Sequence, residues 1–509
     1  MAHKQFVWIM TDTTGWNMLG CYGFEGVRTP NLDALAAGGV RFERAYTCQP
    51  VCGPARSALF TGMYPHSNGS WGNCMPLGAN VRTLGQWLSA QGVSCAYIGK
   101  WHLDGGDYFG EGVCPDGWDP AYWYDMRNYL DELTDEERYA SRQSKTCLTP
   151  EGIKADFTFA DRVTKRALDF IEKHRDQDFL LVVSYDEPHD PCLCPPPFNT
   201  MYQDYHAARR RSLYDTLEGK PEYQRIWAGG SQYLDRDKVN PDNPLLMGCN
   251  SFADMEIGRV LDAVSKYTPG ALRMYTSDHG DAMCAHCLSA KGPAVYDEIA
   301  RIPLIFGGPD AGKGVVYPHT VSHIDLPATV MDYFGQRIPK CFEGKSLLDQ
   351  VHGSLEPTNR PAFIEFNRYE LDHDGFGGFQ PMRAVVDDRF KLALHLTDTD
   401  ELYDTQCDEC DMINCIDAPE YAAERDRLHD LVLDWMNRTR DPFRGYQWKC
   451  RPWRPEYTPS WDVDGMTRQR ENEPGEYRQL DYCTGLTMDQ ATRPKGQRTP
   501  NPFKKGDKA

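Results

Sequence analysis

The chain has 509 residues, of which 40% are hydrophobic and 25% are charged, a composition that is ordinary for a soluble globular protein and a length too great for one small core. Its formal net charge of −19 argues against a broad surface for nucleic acid or for an anionic membrane, and we expect neither as a partner. An anionic substrate would therefore need a local cationic pocket.

Residues 1–10 run directly into a predicted strand, without the basic start, apolar core and small-residue cleavage site of a signal peptide, so we expect a cytoplasmic protein. No run of about 18 apolar residues is present, and no transmembrane helix is expected. The eighteen cysteines are interpreted as reduced thiols. Three close pairs lack the spacing of a zinc finger or ribbon and are interpreted as buried or incidental: Cys192/Cys194, Cys284/Cys287 and Cys407/Cys410.

Four short apolar runs have the pattern of buried parallel strands, because each is continuous and ends in a polar cluster. They cover residues 6–10, 93–98, 179–185 and 272–275. Between them lie helical patterns such as residues 29–38, with Pro30 near the start. This alternation predicts an α/β domain over residues 1–360, with helices on both faces of a mostly parallel sheet. Ligands bind at the carboxyl ends of the strands in such domains, which is where the polar clusters fall.

The pattern changes near Arg360, where short strands joined by turns replace the alternation of strands and helices. The predicted antiparallel strands cover residues 361–366, 376–379, 389–396 and 401–403. A helix is predicted over about 424–440, because its apolar residues recur on a single stripe. We therefore predict a smaller α+β domain over residues 361–440.

Beyond Asp441 the sequence is rich in proline, arginine and aromatic residues and has no sustained period. We predict an extended arm over residues 441–509, loose from about Lys495 onward. Four aromatic residues of this arm would expose a large apolar surface on a monomer, so we expect a homo-oligomer. They are Phe443, Tyr446, Trp448 and Trp453.

The segment Cys52-Gly53-Pro54-Ala55-Arg56, continuing through Leu59 to Thr61-Gly62, carries the most specific signal. Pro54 fits the first turn of a helix over residues 54–60 that Gly62 ends, which places Cys52 at a helix N-terminus, where an anion is favoured. The segment resembles the signature of type I sulfatases, the formylglycine-dependent members of the alkaline phosphatase superfamily. In that family a maturation enzyme recognises the Cys-x-Pro-x-Arg core and oxidises the cysteine to formylglycine, so the resemblance implies this enzyme as a partner.

Asp12, Asp278 and His279 are the candidate metal ligands, since each follows a predicted strand, and the resemblance adds the modified Cys52. Carboxylates suit calcium or magnesium, while an imidazole admits manganese or zinc. The commonest sulfatase pattern has a second Asp at Thr13 and an Asn at His279, and phosphonate monoester hydrolases of the same superfamily carry the His. We expect one divalent cation, Ca²⁺ first, with Mn²⁺ and Mg²⁺ as alternatives.

Four basic residues match sulfatase positions around the sulfate: Lys100, His102, His189 and Lys291. The resemblance implies that the two lysines bind sulfate oxygens, that His189 protonates the leaving oxygen and that His102 acts as base, with Arg56 polarising the nucleophile. Weaker candidates for substrate contact are Asn73, Arg368 and His373, and His286 lies near the metal motif.

These residues predict a sulfuric ester hydrolase, similar to arylsulfatases, that acts on sulfate monoesters, with aryl, steroid and sugar O-sulfates as candidate small-molecule substrates. One alternative is a phosphonate monoester or phosphodiester hydrolase, which shares the nucleophile, the metal site and the fold but normally lacks the Lys-x-His of Lys100 and His102. A catalytically silent binding protein on the same scaffold would be expected to have lost Cys52, Asp12 or Asp278, and all three are present.

Overall fold

The computed structural model of the chain describes residues 3–229, 236–369, 379–457, 480–482 and 484–486. The chain forms two compact units, residues 1–442 and residues 443–509. The strands of the described residues are β1 Gln5–Thr11, β2 Val40–Tyr46, β3 Ser94–Gly99, β4 Phe179–Ser184, β5 Leu272–Ser277, β6 Arg301–Gly307, β7 Val315–Ser322, β8 Ala362–Phe366, β9 Met382–Val386, β10 Phe390–His395 and β11 Glu401–Asp404.

The described helices longer than one turn are α1 Pro30–Ala37, α2 Cys52–Thr61, α3 Leu84–Ser89, α4 Met126–Asp131, α5 Asp135–Ala140, α6 Phe159–Lys173, α7 Glu222–Trp227, α8 Pro244–Tyr267, α9 Asp325–Tyr333 and α10 Ala422–Arg438. Single helical turns cover Pro65–Asn68, Asp297–Ala300, Leu348–Val351 and Tyr446–Lys449. Among these described helices, none is both long and apolar enough to cross a bilayer.

A seven-stranded mixed sheet forms the centre of the first unit, in the order β3-β4-β1-β5-β6-β2-β7. The strands β3, β4, β1 and β5 are parallel to one another, whereas β6 runs antiparallel to both of its neighbours. The four strands predicted from continuous apolar runs are these four parallel ones. Their carboxyl ends therefore lie along one edge of the sheet, as predicted.

Both faces of this sheet are covered, which explains why its central strands are apolar without alternation. In β1, Val7 and Ile9 pack into a core that includes residues of α1, α6 and α8. The alternate residues Phe6 and Trp8 pack into a second core with residues of α2, α3 and α9. The predicted α/β architecture is confirmed.

A second, four-stranded antiparallel sheet has the order β11-β10-β9-β8 and packs against α10. It confirms the predicted antiparallel sheet, although β9 at Met382–Val386 was not predicted. The predicted strand at residues 376–379 lies outside the described residues except for Phe379. The division of the chain at residue 360 stays a prediction.

The second unit is described only in part. Within it Trp448 is fully buried, and its indole Nε1 donates to the carbonyl of Phe443 at 2.9 Å, while Tyr446 is exposed. The aromatic surface of the arm is therefore smaller than the sequence suggests, and the oligomer stays a prediction.

We expect truncation after Arg440 to lower the assembly state, because the remaining aromatic residues of the arm would bury their apolar area at a subunit contact. Light scattering of the truncated and full chains measures the mass of the particle. An unchanged mass would refute an oligomer held together by the arm.

Candidate active site

Three predicted residues meet at the carboxyl edge of the parallel strands. Asp12 follows β1, Lys100 follows β3 and Asp278 follows β5, and all three are fully buried. The Lys100 ammonium lies 2.7 Å from Asp12 Oδ2. The topology thus brings together residues that are far apart in sequence, and it supplies a buried site with alternating positive and negative charge.

Cys52 is the first residue of α2, which ends at Gly62 in the left-handed conformation (φ 69°). The thiol is buried, and its sulfur lies 3.1 Å from Nε2 of His279 and 3.7 Å from Oδ1 of Asp12. The amide of Gly53 donates to the side-chain oxygen of Asn73 at 2.8 Å. The predicted nucleophile therefore lies at the start of a helix and next to the candidate metal ligands.

Asp12, Cys52, Asp278 and His279 form the one metal-type cluster found among the described residues, with one ligand atom from each lying within 4.8 Å of all the others. Nδ1 of His279 bonds the carbonyl of Gly280 at 2.8 Å, and since a carbonyl only accepts, Nδ1 carries a hydrogen. The remaining nitrogen, Nε2, thus faces the cluster with the geometry of a metal ligand.

The pKa values of the two carboxyl groups in the cluster are shifted in opposite directions. Burial and the charge of Asp12 raise the pKa of Asp278 to about 6, whereas burial of Asp12 is outweighed by Lys100, His189 and Arg56, which hold the pKa of Asp12 well below its usual range. Desolvated carboxylates at this separation repel each other. A divalent cation would remove that repulsion, so the donor set fits a hard metal ion.

Thr13 stands where the common sulfatase pattern has a second Asp. Its hydroxyl donates to Oδ1 of Asp12 at 2.7 Å, and its amide donates to Oδ1 of Asp278 at 3.2 Å. Its backbone adopts the left-handed conformation (φ 68°). Thr13 therefore orients both carboxylates and contributes no further negative charge.

Arg56 lies on the same helix as Cys52 and is fully buried. Its guanidinium donates to Oδ2 of Asp278 at 3.0 Å and to Oδ2 of Asp12 at 3.1 Å, and it also bonds the carbonyl of Lys100 at 2.7 Å. Its donors are thus directed to the carboxylates and to the backbone beside them. Arg56 therefore holds both carboxylates of the metal-type cluster in position.

The thiol of Cys52 is activated by its surroundings. Burial and the Asp12 carboxylate alone would raise its pKa, but the charges of Lys291, Lys100 and His279 lower that pKa well below the usual value. The same positive groups would attract an anionic substrate. Positive groups are therefore concentrated around Cys52 in this acidic protein.

His102 is buried, and neither of its ring nitrogens has a hydrogen-bond partner in the described part of the chain. Burial lowers the pKa of His102, and the neighbouring Cys52 sulfur opposes this shift. A neutral imidazole beside the predicted nucleophile has a free lone pair. It is therefore suited to accept a proton.

His189 and Lys291 lie together on the side of the site nearest to solvent. The Lys291 ammonium donates to Nε2 of His189 at 3.0 Å, and Lys291 itself is buried while His189 is partly exposed. Burial alone would lower the pKa of Lys291, but the charges of Cys52, Asp12 and Asp278 together help to raise it well above its usual value. The pair thus presents a charged donor and an imidazole to an approaching ester.

The structure describes two of the three weaker candidates for substrate contact. The backbone amide of Asn73 donates to the carbonyl of Tyr369 at 2.7 Å. Arg368, the residue before Tyr369, therefore lies near the chain segment that contains Asn73, beside the nucleophile helix. The carboxamide oxygen of Asn73 is already used by Gly53. His373 lies outside the described residues.

Two residues of the site were missed by the sequence analysis. Asp186 follows β4 and forms an ion pair with Lys100 at 3.0 Å, and Tyr108 bonds both of them from a loop. Asp186 follows a predicted strand and could have been found from that position. Tyr108 stands in a segment without any periodic pattern, and no signal in the sequence marks it.

His286 lies in a different buried cluster, although it stands close to the metal ligands in sequence. Its Nδ1 lies 2.5 Å from Oδ2 of Asp215, its ring stacks on Tyr296, and Lys220 approaches the same carboxylate at 2.5 Å. Burial alone would raise the pKa of Asp215, but the bond from His286 and the charge of Lys220 lower it to about 2.

We expect Asp215→Asn to lower the free energy of unfolding by about 2 kcal/mol or more near neutral pH, because a carboxyl with a depressed pKa stabilises the fold only while it is ionised. This contribution is complete above the unfolded pKa of about 4 and is lost as pH falls toward about 2. Urea unfolding between pH 7 and 3 measures the difference from wild type, which should shrink in acid. Asp176→Asn, at an exposed ion pair with Arg175, is the control; a difference independent of pH would contradict the assignment.

The fold and this constellation are those expected of an ester hydrolase. The chain belongs to the sulfatase family: the model of that family, Sulfatase, matches residues 4–336, and the model described as N-sulphoglucosamine sulphohydrolase, C-terminal, matches residues 291–438. The protein is accordingly a sulfuric ester hydrolase.

Relatives cover nearly the whole chain. The uncharacterized sulfatase YidJ of Escherichia coli (strain K12) is 44% identical over 492 residues, which are 96% of this chain and 97% of that protein. The structure of BT4656 in complex with its substrate D-glucosamine-2-N,6-O-disulfate has a TM-score of 0.71 at 20% identity, over 87% of this chain and 99% of that chain. A phosphonate monoester hydrolase from Silicibacter pomeroyi has a TM-score of 0.68 at 23% identity, over 86% and 96%. At these identities the two solved structures show the fold alone.

Proposed function

We propose that the protein hydrolyses sulfate monoesters with a formylglycine formed from Cys52, a divalent cation and the four basic residues around them. The observation that carries the proposal is the convergence of Lys100, His102 and Lys291 on a buried cysteine at a helix N-terminus, beside a cluster of two carboxylates and an imidazole. The maturation enzyme implied by the Cys-x-Pro-x-Arg core belongs to this proposal.

The cation would be held by Asp12, Asp278, His279 and the modified Cys52. When bound, it would supply positive charge that polarises the nucleophile and stabilises charge on the sulfate. Calcium is the first choice because oxygen donors predominate once Cys52 is oxidised, and Mn²⁺ and Mg²⁺ are the alternatives because one donor is an imidazole.

The remaining steps are assigned to residues of the chain. Lys291 would donate to the sulfate oxygens, and Lys100, whose three hydrogens face Asp12, Asp186 and Tyr108, would act on them by its fixed positive charge or by exchanging one of these partners for the substrate. Both charges would stabilise the transition state more than the ground state. His189 delivers a proton to the leaving oxygen, for which its exposed edge is suited. His102 accepts a proton from the nucleophile residue, since burial keeps its imidazole neutral. Arg56 holds Asp12 and Asp278 in place.

Aryl, steroid and sugar O-sulfates are the candidate substrates. Among them a sugar sulfate is favoured by the likeness to a structure complexed with D-glucosamine-2-N,6-O-disulfate and by the match to an N-sulphoglucosamine sulphohydrolase C-terminal model. Turnover of a panel of aryl, steroid and sugar sulfates by the purified, matured enzyme tests the proposal. No activity on any sulfate ester would refute it.

The second candidate function is a phosphonate monoester hydrolase. The observation that favours it is His279 at the metal cluster, together with the likeness in fold to the enzyme from Silicibacter pomeroyi. Lys100 and His102 favour the sulfatase instead, because they fill the space that an organic substituent on phosphorus would need.

We expect chelation with EDTA to silence the enzyme reversibly and elemental analysis to find one divalent metal per chain, because the described ligands form a single cluster. Activity should return with Ca²⁺, and comparison with Mn²⁺ and Mg²⁺ identifies the preferred ion. Asp278→Asn should lower the metal content, since it removes one of the charged donors. Two metals per chain would instead indicate the two-metal chemistry of phosphatases.

A further inference from the structure

Tyr108 joins three charged or catalytic side chains through one hydroxyl group. Its oxygen lies 2.5 Å from Nζ of Lys100 and 3.2 Å from Nδ1 of His189, and it also bonds Oδ1 of Asp186. The ring of Tyr108 lies under the Lys100 ammonium at 4.0 Å and beside the His102 ring at 5.2 Å. A hydroxyl in this position is part of the reaction site.

The directions of these hydrogen bonds follow from the chemistry of the partners. Lysine can only donate, and the carboxylate of Asp186 can only accept, so the Tyr108 hydroxyl donates to Asp186 and accepts from Lys100. The carbonyl of Asp190 accepts from Nδ1 of His189 at 2.9 Å, so Nδ1 carries a hydrogen. That hydrogen also faces the second lone pair of the Tyr108 oxygen.

The opposite nitrogen of His189 is thereby directed at the substrate. Nε2 accepts from Lys291 at 3.0 Å, on the side where the sulfate is expected to bind. To act as the acid, Nε2 would exchange this hydrogen bond for a proton taken up from solvent, which His189 reaches because it is partly exposed. The Tyr108 hydroxyl links Nδ1 of His189 to the carboxylate of Asp186, and linked hydrogen bonds of this kind polarise one another. The catalytic imidazole is thus oriented by a further group, as in other enzymes that hold a histidine by its second nitrogen.

We propose that Tyr108 is a positioning residue for His189: it holds the imidazole through Nδ1 and couples it to Asp186, so that Nε2 is presented to the leaving oxygen. This inference rests on the proposed function, in which His189 protonates the leaving group. Proton delivery is needed most by a poor leaving group and hardly at all by a good one. The dependence of rate on the leaving group is therefore the property that Tyr108 controls.

The experiment compares wild type and Tyr108→Phe on phenyl sulfates that range from 4-nitrophenyl sulfate to 4-methoxyphenyl sulfate. For Tyr108→Phe we expect kcat/KM to fall by less than about threefold on the nitro ester and by about tenfold or more on the methoxy ester, within the range that general acid catalysis contributes. In a His189→Ala background the same substitution should have no further effect, because it acts through the imidazole.

Tyr122→Phe is the matched control, since its hydroxyl also bonds a carboxylate, Asp169, at 3.0 Å, but outside the site. It should leave the leaving-group dependence unchanged. An equal loss on all esters, or a further loss in the His189→Ala background, would overturn the inference. Either result would indicate that Tyr108 acts through Lys100 and not through His189.

NMR spectra of enzyme labelled with ¹⁵N-histidine test the role of Tyr108 separately from the proposed sulfatase function. The signal of the Nδ1 hydrogen of His189 should shift in Tyr108→Phe and stay in place in Tyr122→Phe, whether or not sulfate esters are turned over. If the wild-type enzyme hydrolyses neither the phenyl sulfates nor any other ester of the sulfate panel, the proposed function is wrong, whereas an unshifted signal overturns the inference by itself.

Discussion

Replacing Cys52 by alanine is expected to lower turnover of sulfate esters by at least about 10⁴-fold, because the residue that supplies the nucleophile is lost and the surrounding charges cannot replace it. The fold should remain intact. Alanine is compatible with the first turn of α2, and the substitution removes one sulfur atom from a buried site. Turnover is measured on 4-nitrophenyl sulfate, and thermal unfolding reports the fold.

Cys48→Ala provides a matched control for this substitution. Cys48 is also fully buried and lies four residues earlier in the chain, but its sulfur faces Ser322 at 3.6 Å and not the metal-type cluster. Both variants replace one small buried side chain by alanine, so a similar change in unfolding temperature is expected. Only Cys52→Ala should lose activity.

Mass spectrometry of the peptide that contains Cys52 decides the chemistry behind this loss. Enzyme produced with a maturation enzyme should carry formylglycine at this position, because Pro54 and Arg56 complete the recognition core. Arg56 is fully buried in the folded protein, so the maturation enzyme must meet this segment before folding is complete. A peptide that contains only cysteine in a fully active preparation would show that the mechanism is wrong.

The carboxyl ends of the parallel strands could be predicted because their signal is local. A continuous apolar run followed by Asp12, Lys100 or Asp278 marks a buried strand and its polar end within a few residues. Parallel pairing then requires these ends to meet at one edge, whatever the order of the strands. The metal-type cluster follows from that topology.

The rest of the sheet could not be predicted in the same way. Strand β2 at Val40–Tyr46 mixes charged and apolar residues, and its place between β6 and β7 is set by contacts with segments more than 250 residues away. Tyr108 reaches Lys100 and His189 only through the path of the loop after β3. Such positions depend on tertiary packing, which no local pattern reports.

The second prediction with a large expected effect concerns Lys100, whose ammonium is fully buried in the site. Its three hydrogens face Asp12 at 2.7 Å, Asp186 at 3.0 Å and Tyr108 at 2.5 Å. Burial alone would lower the pKa of Lys100, but the charges of Asp12 and Asp186 together with Cys52 raise it, so the ammonium stays protonated throughout the working pH range. A fixed positive charge of this kind stabilises developing negative charge without reorganisation.

We expect Lys100→Ala to lower kcat/KM for 4-nitrophenyl sulfate by on the order of a hundredfold or more, the cost of losing one preorganised donor. Metal content must be measured in the same preparation, because the loss of Lys100 leaves Asp12 with one cation fewer. If the variant retains its metal, the loss of activity is due to the missing interaction with the sulfate and not to damage to the metal-type cluster.

The same residue separates the two candidate functions. A sulfate monoester presents bare oxygens where a phosphonate monoester carries an organic group, and Lys100 with His102 would fill the space which that group needs. Wild-type kcat/KM for aryl sulfate should therefore exceed that for phenylphosphonate and phosphodiester substrates by at least about tenfold, or about 1.4 kcal/mol of transition-state preference. Lys100→Ala should reduce this preference, because it removes a sulfate donor and opens space near the nucleophile. The protein would instead be assigned as a phosphonate monoester hydrolase if the wild type turned over phosphonate esters better than aryl sulfates. An equal loss of both reactions in Lys100→Ala would lead to the same assignment.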